Sequence, residues 1–396
     1  MTPDPVEPRP ASPNTRPRLL ILSFSPIVSD ARVLKQVTLF ASQYEVTTCG
    51  YGPAPQGVVE HVRIPDELVY WRVDKIATIL RLFSRTYRRQ EVVRWVTDAL
   101  CGRIFDAVLA DDVETVPLAL SLGPTGGVHA DLHEYAPRQK EDVRRWKWFV
   151  APYMRWLCSR HVTRASSVTT VCSGLADEYA REFGIRAEVV TNAAPYQELA
   201  PSPTPTDGPL RVVHSGAAMP DRHLEVLIDA MAQVQRDVEF DLYLARNNPD
   251  YIEQLREHAA RRAPGRVRIM DPVPYADLPA TLSGYDIGFY SIPPVSFNHL
   301  HSLPNKFFDF VQARLAVVVS PSPEMAQLVT KHGLGVVAPG FDAASLAGAI
   351  DGLDPAQVDA AKQNAHRAAR ELSAESQVGV WDRAIARLIE RSGAGR

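Results

Sequence analysis

The 396-residue sequence has little of what several common protein classes require. Its four cysteines, Cys49, Cys101, Cys158 and Cys172, lie far apart and form no close pair typical of zinc or redox sites. We therefore expect reduced thiols, as in a cytoplasmic protein. No stretch reaches the roughly 18 uncharged residues of a membrane-spanning helix, and the N-terminus lacks the apolar core of a secretion signal. The sequence predicts a soluble protein.

Strong net charge and two well-known catalytic signatures are also absent. The formal net charge is -3, from 43 basic and 46 acidic side chains, so the whole chain has no field that would attract nucleic acid. Neither G-x-S-x-G nor G-x-x-x-x-G-K-[ST] occurs. These absences weigh against the serine hydrolases and the P-loop nucleotide hydrolases that depend on those motifs.

What the sequence does contain is a regular alternation of short apolar runs with amphipathic helical patterns. The runs of the first half are RLLILSF (18–24), YEVTTC (44–49), FDAVLA (105–110), GGVHADL (126–132), SSVTTVC (166–172) and AEVVTN (187–192). Those of the second half are LRVVHSG (210–216), VEFDLYLA (238–245), RVRIM (266–270), YDIGFY (285–290), LAVVVS (315–320) and LGVVA (334–338). Strands separated by helices favour parallel sheets covered by helices. The sequence predicts an α/β fold.

Proline marks the predicted domain boundaries. Residues 1–17 are proline-rich and nearly free of large apolar side chains, which predicts a disordered leader. A second proline-rich segment, 194–209, can continue neither helix nor strand and is interpreted as a linker. The predicted domains are therefore 18–193 and 210–372, followed by a helix at 373–390 that packs back on the first domain. Two domains suit the chain length.

Ligands of open α/β sheets bind beyond the carboxyl ends of the strands, and the second half offers two candidate phosphate sites there. Asn305 and Lys306 stand at a predicted helix start, where free N–H groups and the helix dipole favour an anion. Asp309, one turn on, has the chemistry to accept hydrogen bonds from a ribose. The alternative is a solvated pair, Lys306 and Asp309. The segment around Gly216 is either a second phosphate turn or an ordinary connection between strand and helix.

In the first half, His133 and Glu134 directly follow a predicted strand. The His133 ring is suited to donate to a sugar hydroxyl or to transfer a proton, although a lone histidine is more often structural. Asp111 and Asp112 follow another strand. No histidine lies near them in sequence, so we predict no metal site.

Several segments together resemble one family. They are SDARVLKQVTLFASQYEVTT, ADDVETVPLAL, ADLHEY, SSVTTVCSGLADEYAREFG with VVTNAAPY, VVHSGAAMPDRHLEVLIDAM, VPYADLPATLSGYDIGFY and SLPNKFFDFVQARLAVVVS. Over roughly residues 18–390 the chain resembles the retaining GT-B glycosyltransferases of the large family-4 group. The resemblance implies two Rossmann-like domains that face each other across a cleft, with a nucleotide-diphosphate sugar, UDP- or GDP-linked, bound to the C-terminal one.

The resemblance also implies roles for individual residues. The catalytic candidates are His133, Glu134, Arg222 and Lys306. The donor-binding candidates are Gly216, Ala217, His301, Ser302, Leu303, Asn305 and Asp309, and the acceptor-side candidates are Asp30, Arg32 and Asp112. Two positions depart from the family: His301 replaces a glutamate, and Ala217 replaces a frequent arginine. Donor identity therefore stays open.

The expected reaction is transfer of the sugar to an acceptor with retention of anomeric configuration, without a metal or other cofactor, in glycan, glycolipid or glycosylated-metabolite biosynthesis. The departing diphosphate would take the acceptor proton. Two alternatives remain at this stage: a nucleotide-sugar epimerase on the same fold, and an inactive nucleotide-sugar-binding partner of a transferase.

The first half also contains two basic, aromatic segments. Residues 71–94 hold the cations Arg72, Lys75, Arg81, Arg85, Arg88, Arg89 and Arg94, and residues 144–164 hold Arg144, Arg145, Lys147, Arg155, Arg160 and Arg164 with three tryptophans. Cations beside aromatic rings suit a membrane interface. We predict either peripheral contact with the inner membrane face and a lipid-linked acceptor, or aromatic rings packed on the sheet with solvated arginines and a soluble acceptor.

Overall fold

A computed structural model describes residues 16–394 of the chain. The first 15 residues of the predicted leader therefore lie outside the described part. Within residues 16–394, no helix is long and apolar enough to cross a membrane.

The N-terminal half contains a seven-stranded sheet in which every neighbouring pair is parallel. Its strands are β1 (Arg18–Pro26), β2 (Glu45–Tyr51), β3 (Glu60–Arg63), β4 (Ala107–Asp111), β5 (Val128–Leu132), β6 (Ser167–Thr170) and β7 (Glu188–Val189). The spatial order is β3-β2-β1-β4-β5-β6-β7. β1, β4 and β5 are buried along almost their whole length, which explains their continuous apolar runs.

Helices cover both faces of this sheet. They are α1 (Ala31–Phe40), α2 (Lys75–Ile79), α3 (Phe83–Arg89), α4 (Glu91–Ala99), α5 (Val116–Ser121), α6 (Ala151–Arg160) and α7 (Ser173–Phe183). Asp30 accepts from the backbone N–H groups of Arg32 and Val33 and so caps α1. Gly184 ends α7 in the left-handed conformation that glycine adopts without strain.

The C-terminal half repeats the plan with six parallel strands. They are β8 (Leu210–Ala217), β9 (Val238–Ala245), β10 (Val267–Met270), β11 (Ile287–Tyr290), β12 (Ala316–Val319) and β13 (Gly335–Val337), in the order β10-β9-β8-β11-β12-β13. Its helices are α8 (Glu225–Gln233), α9 (Pro249–Arg262), α10 (Leu278–Leu282), α11 (Phe297–Leu300), α12 (Asn305–Gln312), α13 (Pro323–His332), α14 (Ala343–Asp351) and α15 (Pro355–Ala368). The predicted α/β class with two parallel, Rossmann-like sheets is confirmed.

The chain crosses between the halves twice. Residues 190–209 contain neither helix nor strand. After α15, the helices α16 (Ala374–Gln377) and α17 (Gly379–Ala394) return to the N-terminal sheet. The indole of Trp381 donates to Thr169 Oγ1 at 3.2 Å, and Ile385 and Leu388 belong to the core cluster around β1 and β4. The last helix therefore completes one face of the first sheet.

Two local features depart from a simple alternation of strand and helix. Pro220–Arg222 forms a 3₁₀ turn and His223 follows with a positive φ of 49°, so α8 does not begin until Glu225. Residues 52–104 were read without a strand, yet β3 pairs with β2 there. Only Val62 of β3 is buried, so its sequence has no apolar run to reveal it.

Candidate active site

Each sheet reverses its strand order once, and a cavity lies at each of these points. In the N-terminal sheet the reversal falls between β1 and β4, and in the C-terminal sheet between β8 and β11. Such switch points are where open α/β sheets bind ligands. His133 and Glu134 line both cavities, which places the two side by side.

The larger cavity, ≈ 390 Å³, is formed by both halves of the chain. Its walls are His133, Glu134, Val171, Leu175, Asn192, Asp221, Arg222, Tyr290, Ile292, Asn298, His299, His301, Ser302, Leu303, Pro304, Asn305 and Lys306. The structure thus brings six predicted donor-side or catalytic residues of the C-terminal half together with the predicted pair from the N-terminal half. Their functional roles stay predictions.

Lys306 lies directly across Gly216. A Cβ at position 216 would stand 1.9 Å from Lys306 Cε and 2.7 Å from Nζ, and Gly216 has a φ of +149° that favours glycine. Both geometry and conformation require glycine here. The two candidate phosphate sites read from the sequence are therefore one site, in which the β8 turn meets the start of α12.

The cations of this site have no acidic partner. Among residues 16–394, neither Arg222 nor Lys306 forms an ion pair or a side-chain hydrogen bond. Burial and the Arg222 charge lower the pKa of Lys306 to about 8. Burial and the same two cations lower the pKa of His214, beneath them on β8, to about 3. Two cations held together without a counter-ion form a site for an anion.

The first turn of α12 points its backbone into the same region. Pro304 precedes the helix as its N-cap residue and supplies no side-chain cap, so the first N–H groups of α12 are not capped by a side chain. Asn305 is exposed and Lys306 half-buried at this helix start. The predicted position of both residues at the N-terminus of a helix is correct, and the helix dipole adds to the positive field.

Asp309, one turn into α12, is buried beneath Tyr275. The Tyr275 hydroxyl donates to Asp309 Oδ1 at 3.2 Å. Burial raises the pKa of Asp309 to about 6, against the opposing charges of Lys306 and Lys35. The proposed surface pair of Lys306 and Asp309 is wrong, because Asp309 is only 3% exposed. Tyr275 lies in the segment VPYADLP and could not be recognised as a site residue from the sequence alone.

His133 is enclosed by three carboxylates. Its Nε2 lies 3.3 Å from Asp111 and 3.5 Å from Asp131, and its Nδ1 lies 3.4 Å from Asp112. Burial alone would lower its pKa, but the Asp112 charge and the bonds to the other two acids raise the pKa well above its ordinary value. His133 is therefore an imidazolium at neutral pH. It can donate hydrogen bonds or stabilise negative charge, but it is not the neutral base considered from the sequence.

Arg32 neutralises the deepest of these acids. Its Nε and Nη2 both bond Asp131 at 2.7 Å, and Nη1 bonds the Val190 carbonyl. Despite burial, the Arg32 and His133 charges hold the pKa of Asp131 well below its ordinary range. Arg32 is 5% exposed, so any effect on an acceptor passes through Asp131. Asp30 caps α1. The acceptor-side roles of Asp30 and Arg32 stay predictions.

Asp111, Asp131 and His133 have the spacing of a metal site, with possible ligand atoms within 4.8 Å of one another. The sequence could not show this, because Asp111 ends β4 whereas Asp131 and His133 lie at the end of β5. Arg32 bonds both oxygens of Asp131, and an ion here would have to compete with Arg32 and displace the ring proton of His133, so the absence of a metal stays a prediction.

The smaller cavity, ≈ 250 Å³, lies wholly in the N-terminal half. It is lined by Ser23, Phe24, Ser25, Tyr70, Asp111, Asp112, Glu114, Thr115, His133, Glu134, Ala136 and Gln139. Asp112, its predicted acceptor-side residue, has a φ of +65° and accepts from the His133 backbone N–H at 3.0 Å. Glu114 and Tyr70 were not recognised from the sequence, although Glu114 follows Asp111 and Asp112 by only a few positions.

A set of contacts across the larger cavity joins the two halves. Glu324, in α13, accepts from Ser173 Oγ at 2.9 Å and from the Gly174 backbone N–H at 2.8 Å. The same carboxylate lies 3.1 Å from Nδ1 of His301. His301, which replaces the family glutamate, therefore contacts the start of α7 as well as the cavity. A Cβ on Gly174 would lie 2.0 Å from the His301 ring.

A second contact lies nearby, between α11 and the segment after β5. Asn298 accepts from the Tyr135 backbone N–H at 2.9 Å, and Glu141 accepts from the Phe297 N–H at 2.6 Å. Arg138 stacks on the Phe297 ring at 4.5 Å. The loop that carries His301, Ser302 and Leu303 is thus held against the N-terminal half. None of these contact residues was singled out from the sequence.

The remaining donor-side candidates lie at the edge of this region. Ala217 is the last residue of β8 and is half-buried. Ser302 is also half-buried, whereas Leu303 is 6% exposed and packs in the core.

The fold is similar to that of several solved structures. HepE from Anabaena, in complex with UDP-glucose, has a TM-score of 0.69 at 15% identity, covering 94% of this chain and 100% of that chain. Sucrose-phosphate synthase from Thermosynechococcus elongatus has a TM-score of 0.67 at 15% identity with the same coverage. A trehalose-phosphate synthase (UDP-forming) from Burkholderia xenovorans, in complex with glucose-6-phosphate, has 0.65 at 13%, again covering 94% and 100%. The fold is GT-B.

The C-terminal half carries a recognised domain. Residues 209–353 match the family model described as Glycosyl transferases group 1. This range contains Gly216, Arg222, Lys306 and Asp309, and so includes the whole cationic site. No curated protein matches the chain in sequence.

Proposed function

We propose that the protein is a glycosyltransferase that moves a sugar from a nucleotide-diphosphate donor to an acceptor with retention of anomeric configuration. The observation that carries this proposal is the pair of unpartnered cations, Arg222 and Lys306, packed against Gly216 at a strand-order reversal. The match of residues 209–353 to group 1 glycosyl transferases supports it.

In this proposal the diphosphate lies on Lys306, Arg222 and the first N–H groups of α12. These groups stabilise the charge that develops as the bond between sugar C1 and the diphosphate oxygen breaks. A new bond forms between C1 and the acceptor oxygen, and the acceptor proton passes to the departing diphosphate. No nucleophile from the chain is needed. His133, as a fixed cation, donates toward the sugar or positions it beside the acceptor cavity.

Asp309 is the proposed ribose ligand, and Tyr275 shares its carboxylate. UDP and GDP are both candidate nucleotides, because none of the contacts described above would distinguish a uracil base from a guanine base. The test is calorimetric titration with UDP and GDP, followed by incubation with UDP- and GDP-sugars and an acceptor panel. Proton NMR of the product gives the anomeric configuration. An inverted product would exclude retention, and no nucleotide binding at all would exclude the donor site.

Divalent metal is not part of the proposed chemistry, because the two cations already face the diphosphate. Activity that survives EDTA treatment is the expected result. Full loss with EDTA and recovery with Mg²⁺ or Mn²⁺ would contradict it. Residues Asp111 and Asp131 would then be the first to mutate.

The two other functions considered from the sequence have distinct outcomes in the same assays. An epimerase would convert the donor sugar with no acceptor present. An inactive binding partner would bind the nucleotide sugar tightly and transfer it to no acceptor. The acid-lined cavity beside the donor site favours the transferase, because neither alternative requires a second sugar site.

We further propose that the transferase binds reversibly to an anionic membrane surface. The helix α2 and the turn Trp146–Val150 contact each other, and exposed apolar side chains occur in and beside both. We call these side chains the patch; they are Trp71, Ile76, Ile79, Leu80, Leu82, Val143, Trp148 and Phe149. Trp146 and Trp156 pack on the core. The alternative that the aromatic rings pack on the sheet therefore holds for these two tryptophans but not for the exposed Trp148.

The positive charge around this patch favours an anionic membrane surface as its partner. The thirteen cations of segments 71–94 and 144–164 are all exposed, and only Arg89 and Arg155 among them form ion pairs within residues 16–394. Anionic lipid contributes about 1 kcal/mol per Lys or Arg near its surface. Trp71 adjoins Tyr70, a wall of the smaller cavity, so a docked protein would face that cavity toward the bilayer.

Sedimentation with anionic and neutral liposomes at low and high salt tests this docking. We expect binding to anionic vesicles at low salt only, and its loss in Ile76→Glu/Leu80→Glu. Val59→Glu is the control, since Val59 is 70% exposed in the same half but outside the patch. Equal recovery in the supernatant under all conditions, or a concentration-dependent dimer that buries the patch, would contradict membrane docking.

A further inference from the structure

The smaller cavity contains a cluster of carboxyl groups. Asp111, Asp112, Glu114 and Glu134 all line it, and His133 is its one cationic side chain among the described residues. Burial, followed by the Asp112 charge, raises the pKa of Glu114 to about 8. Ionising these groups together is costly in a poorly solvated space, and a bound cation would favour their ionised forms.

One atom of the cavity has no partner. Asp111 is 1% exposed, and its Oδ1 accepts from Gln36 at 2.9 Å and from His133 at 3.3 Å. Its Oδ2 is buried without any hydrogen-bond partner. A buried carboxylate oxygen left unpaired costs about 1–3 kcal/mol or more, so a bound donor group would relieve a real penalty.

The cavity is preformed around these acids. The buried Tyr87 hydroxyl donates to the Glu114 carbonyl at 2.8 Å, which fixes the backbone that carries that carboxylate. The rings of Phe24 and Tyr70 stack with centroids 5.8 Å apart and line the same cavity. An aromatic wall beside carboxylates suits a ring compound with one apolar face and attached hydrogen-bond donors.

The missing partner is better supplied by an ammonium group than by a metal ion. A divalent ion at Asp111 would need Asp131 and His133 as further ligands, but Arg32 already bonds both Asp131 oxygens, and Nε2 of His133 is directed at Asp111 and Asp131. An ammonium group instead brings its own three donors and a single charge. It also attracts the aromatic wall by cation–π interaction.

We propose that this cavity binds the protonated amino group of the acceptor, and that the acceptor is an amino sugar or a similar amino-bearing polyol. The proposal rests on the proposed function, since it names the acceptor of that transfer. The ammonium has no lone pair and is not the nucleophile. A hydroxyl of the same molecule receives the sugar, because His133 and Glu134 line both this cavity and the donor cavity.

Binding is measured without any nucleotide, so that the result is independent of transferase activity. The probes are methyl glucosaminide, methyl N-acetylglucosaminide and methyl glucoside, titrated into the full chain by calorimetry or saturation-transfer NMR. We expect the amine to bind roughly tenfold or more tightly than either neutral compound, as for one or two charged hydrogen bonds. If wild-type protein binds all three compounds with equal affinity, the proposal is wrong, and no variant is needed to show it.

The Glu114→Gln variant then locates the site. We expect it to lose about tenfold in affinity for the amine and to leave the weak binding of the glucoside unchanged. Glu67→Gln, an exposed acid of the same half, is the control. An unchanged urea-unfolding midpoint in both variants shows that they fold. Amine binding that survives Glu114→Gln would overturn the assignment.

A separate experiment distinguishes an ammonium ligand from a metal ion in this cavity. Thermal unfolding is followed with MnCl₂ and with methyl glucosaminide in wild type and in Asp111→Asn. Stabilisation by the amine that disappears in Asp111→Asn supports the proposal. Stabilisation by Mn²⁺ alone, lost in the same variant, would assign the cavity to a metal instead.

Discussion

The side chain of Lys306 crosses Gly216 with no room for a Cβ between them. We therefore expect Gly216→Ala to displace the Lys306 ammonium and to weaken UDP binding by roughly tenfold or more. Gly265→Ala is the matched control, because Gly265 also has a positive φ but has no atom within 4 Å of the added Cβ. Similar losses in both variants would mean that backbone strain, not the contact with Lys306, is responsible.

The lowered pKa of Lys306 predicts a pH dependence of donor binding. With a pKa of about 8 in the free protein, Lys306 carries its charge below pH 8 and loses it above. A diphosphate binds the charged form, so affinity should fall as pH rises from about 8 to 9.5, with proton uptake on binding. Calorimetry in buffers of different ionisation enthalpy measures both. Lys306→Gln should bind weakly and lose this dependence, and Lys331→Gln should retain it.

Asp309→Ala is expected to weaken UDP binding roughly ten- to a hundredfold, as for the loss of one or two hydrogen bonds to a charged group. Tyr275→Phe should have a smaller effect, because it removes only the hydroxyl that shares the carboxylate. Asp271→Ala, an exposed acid of the same half, serves as control. If calorimetry gives wild-type affinity for Asp309→Ala, the residue is not a ribose ligand.

His133→Gln should reduce turnover by about 10²–10⁴ and leave UDP affinity unchanged, because its partners are in the N-terminal half. It should also cost about 3 kcal/mol of stability, as three acids lose their shared cation. The raised folded-state pKa means that this stability is present below about pH 6.5 and disappears as pH rises through the folded pKa. Urea unfolding of both proteins at several pH values should show their difference shrinking toward alkaline pH. A difference that grows with pH would contradict the imidazolium assignment.

Gly174→Ala is expected to open the contact between the halves, because the added methyl would meet His301 and Glu324. Each half should keep its own fold, since Gly174 lies at the exposed first turn of α7. Small-angle scattering should then show a larger radius of gyration with UDP bound, and turnover should fall. Unchanged scattering and turnover would mean that this contact does not hold the cleft closed. Gly348→Ala, with open space around the added Cβ, is the control.

The fold was largely predictable because the central strands of both sheets are buried and therefore apolar. A central parallel strand is predicted by its apolar composition alone, as at Leu20 and Ile21 or at Val317 and Val318. β3 shows the limit: at the sheet edge, with one buried residue, it has no such signal. Because the strands could be located, it was also predictable that His133 follows a strand and that Asn305 and Lys306 begin a helix.

The contacts among site residues were not predictable, because they join positions remote in the chain. Arg32 meets Asp131, and Gly174 meets Glu324, only after both sheets have formed and faced each other. Protonation follows from such contacts as well. His133 in sequence has one acid beside it, and the structure gives it three, which turns an expected base into a fixed cation.

The return of α17 to the first sheet affects the order of events during synthesis. Trp381, Ile385 and Leu388 cover Leu19, Ile21 and Leu109, the face of a sheet whose strands leave the ribosome long before. That face has no cover from α17 until the chain is nearly complete. The C-terminal half, whose sheet and helices are contiguous in sequence, can close its core earlier, so the half that is translated second is the first able to fold fully. A nascent chain stalled near residue 372 would then expose apolar surface to chaperones and proteases that the released protein hides.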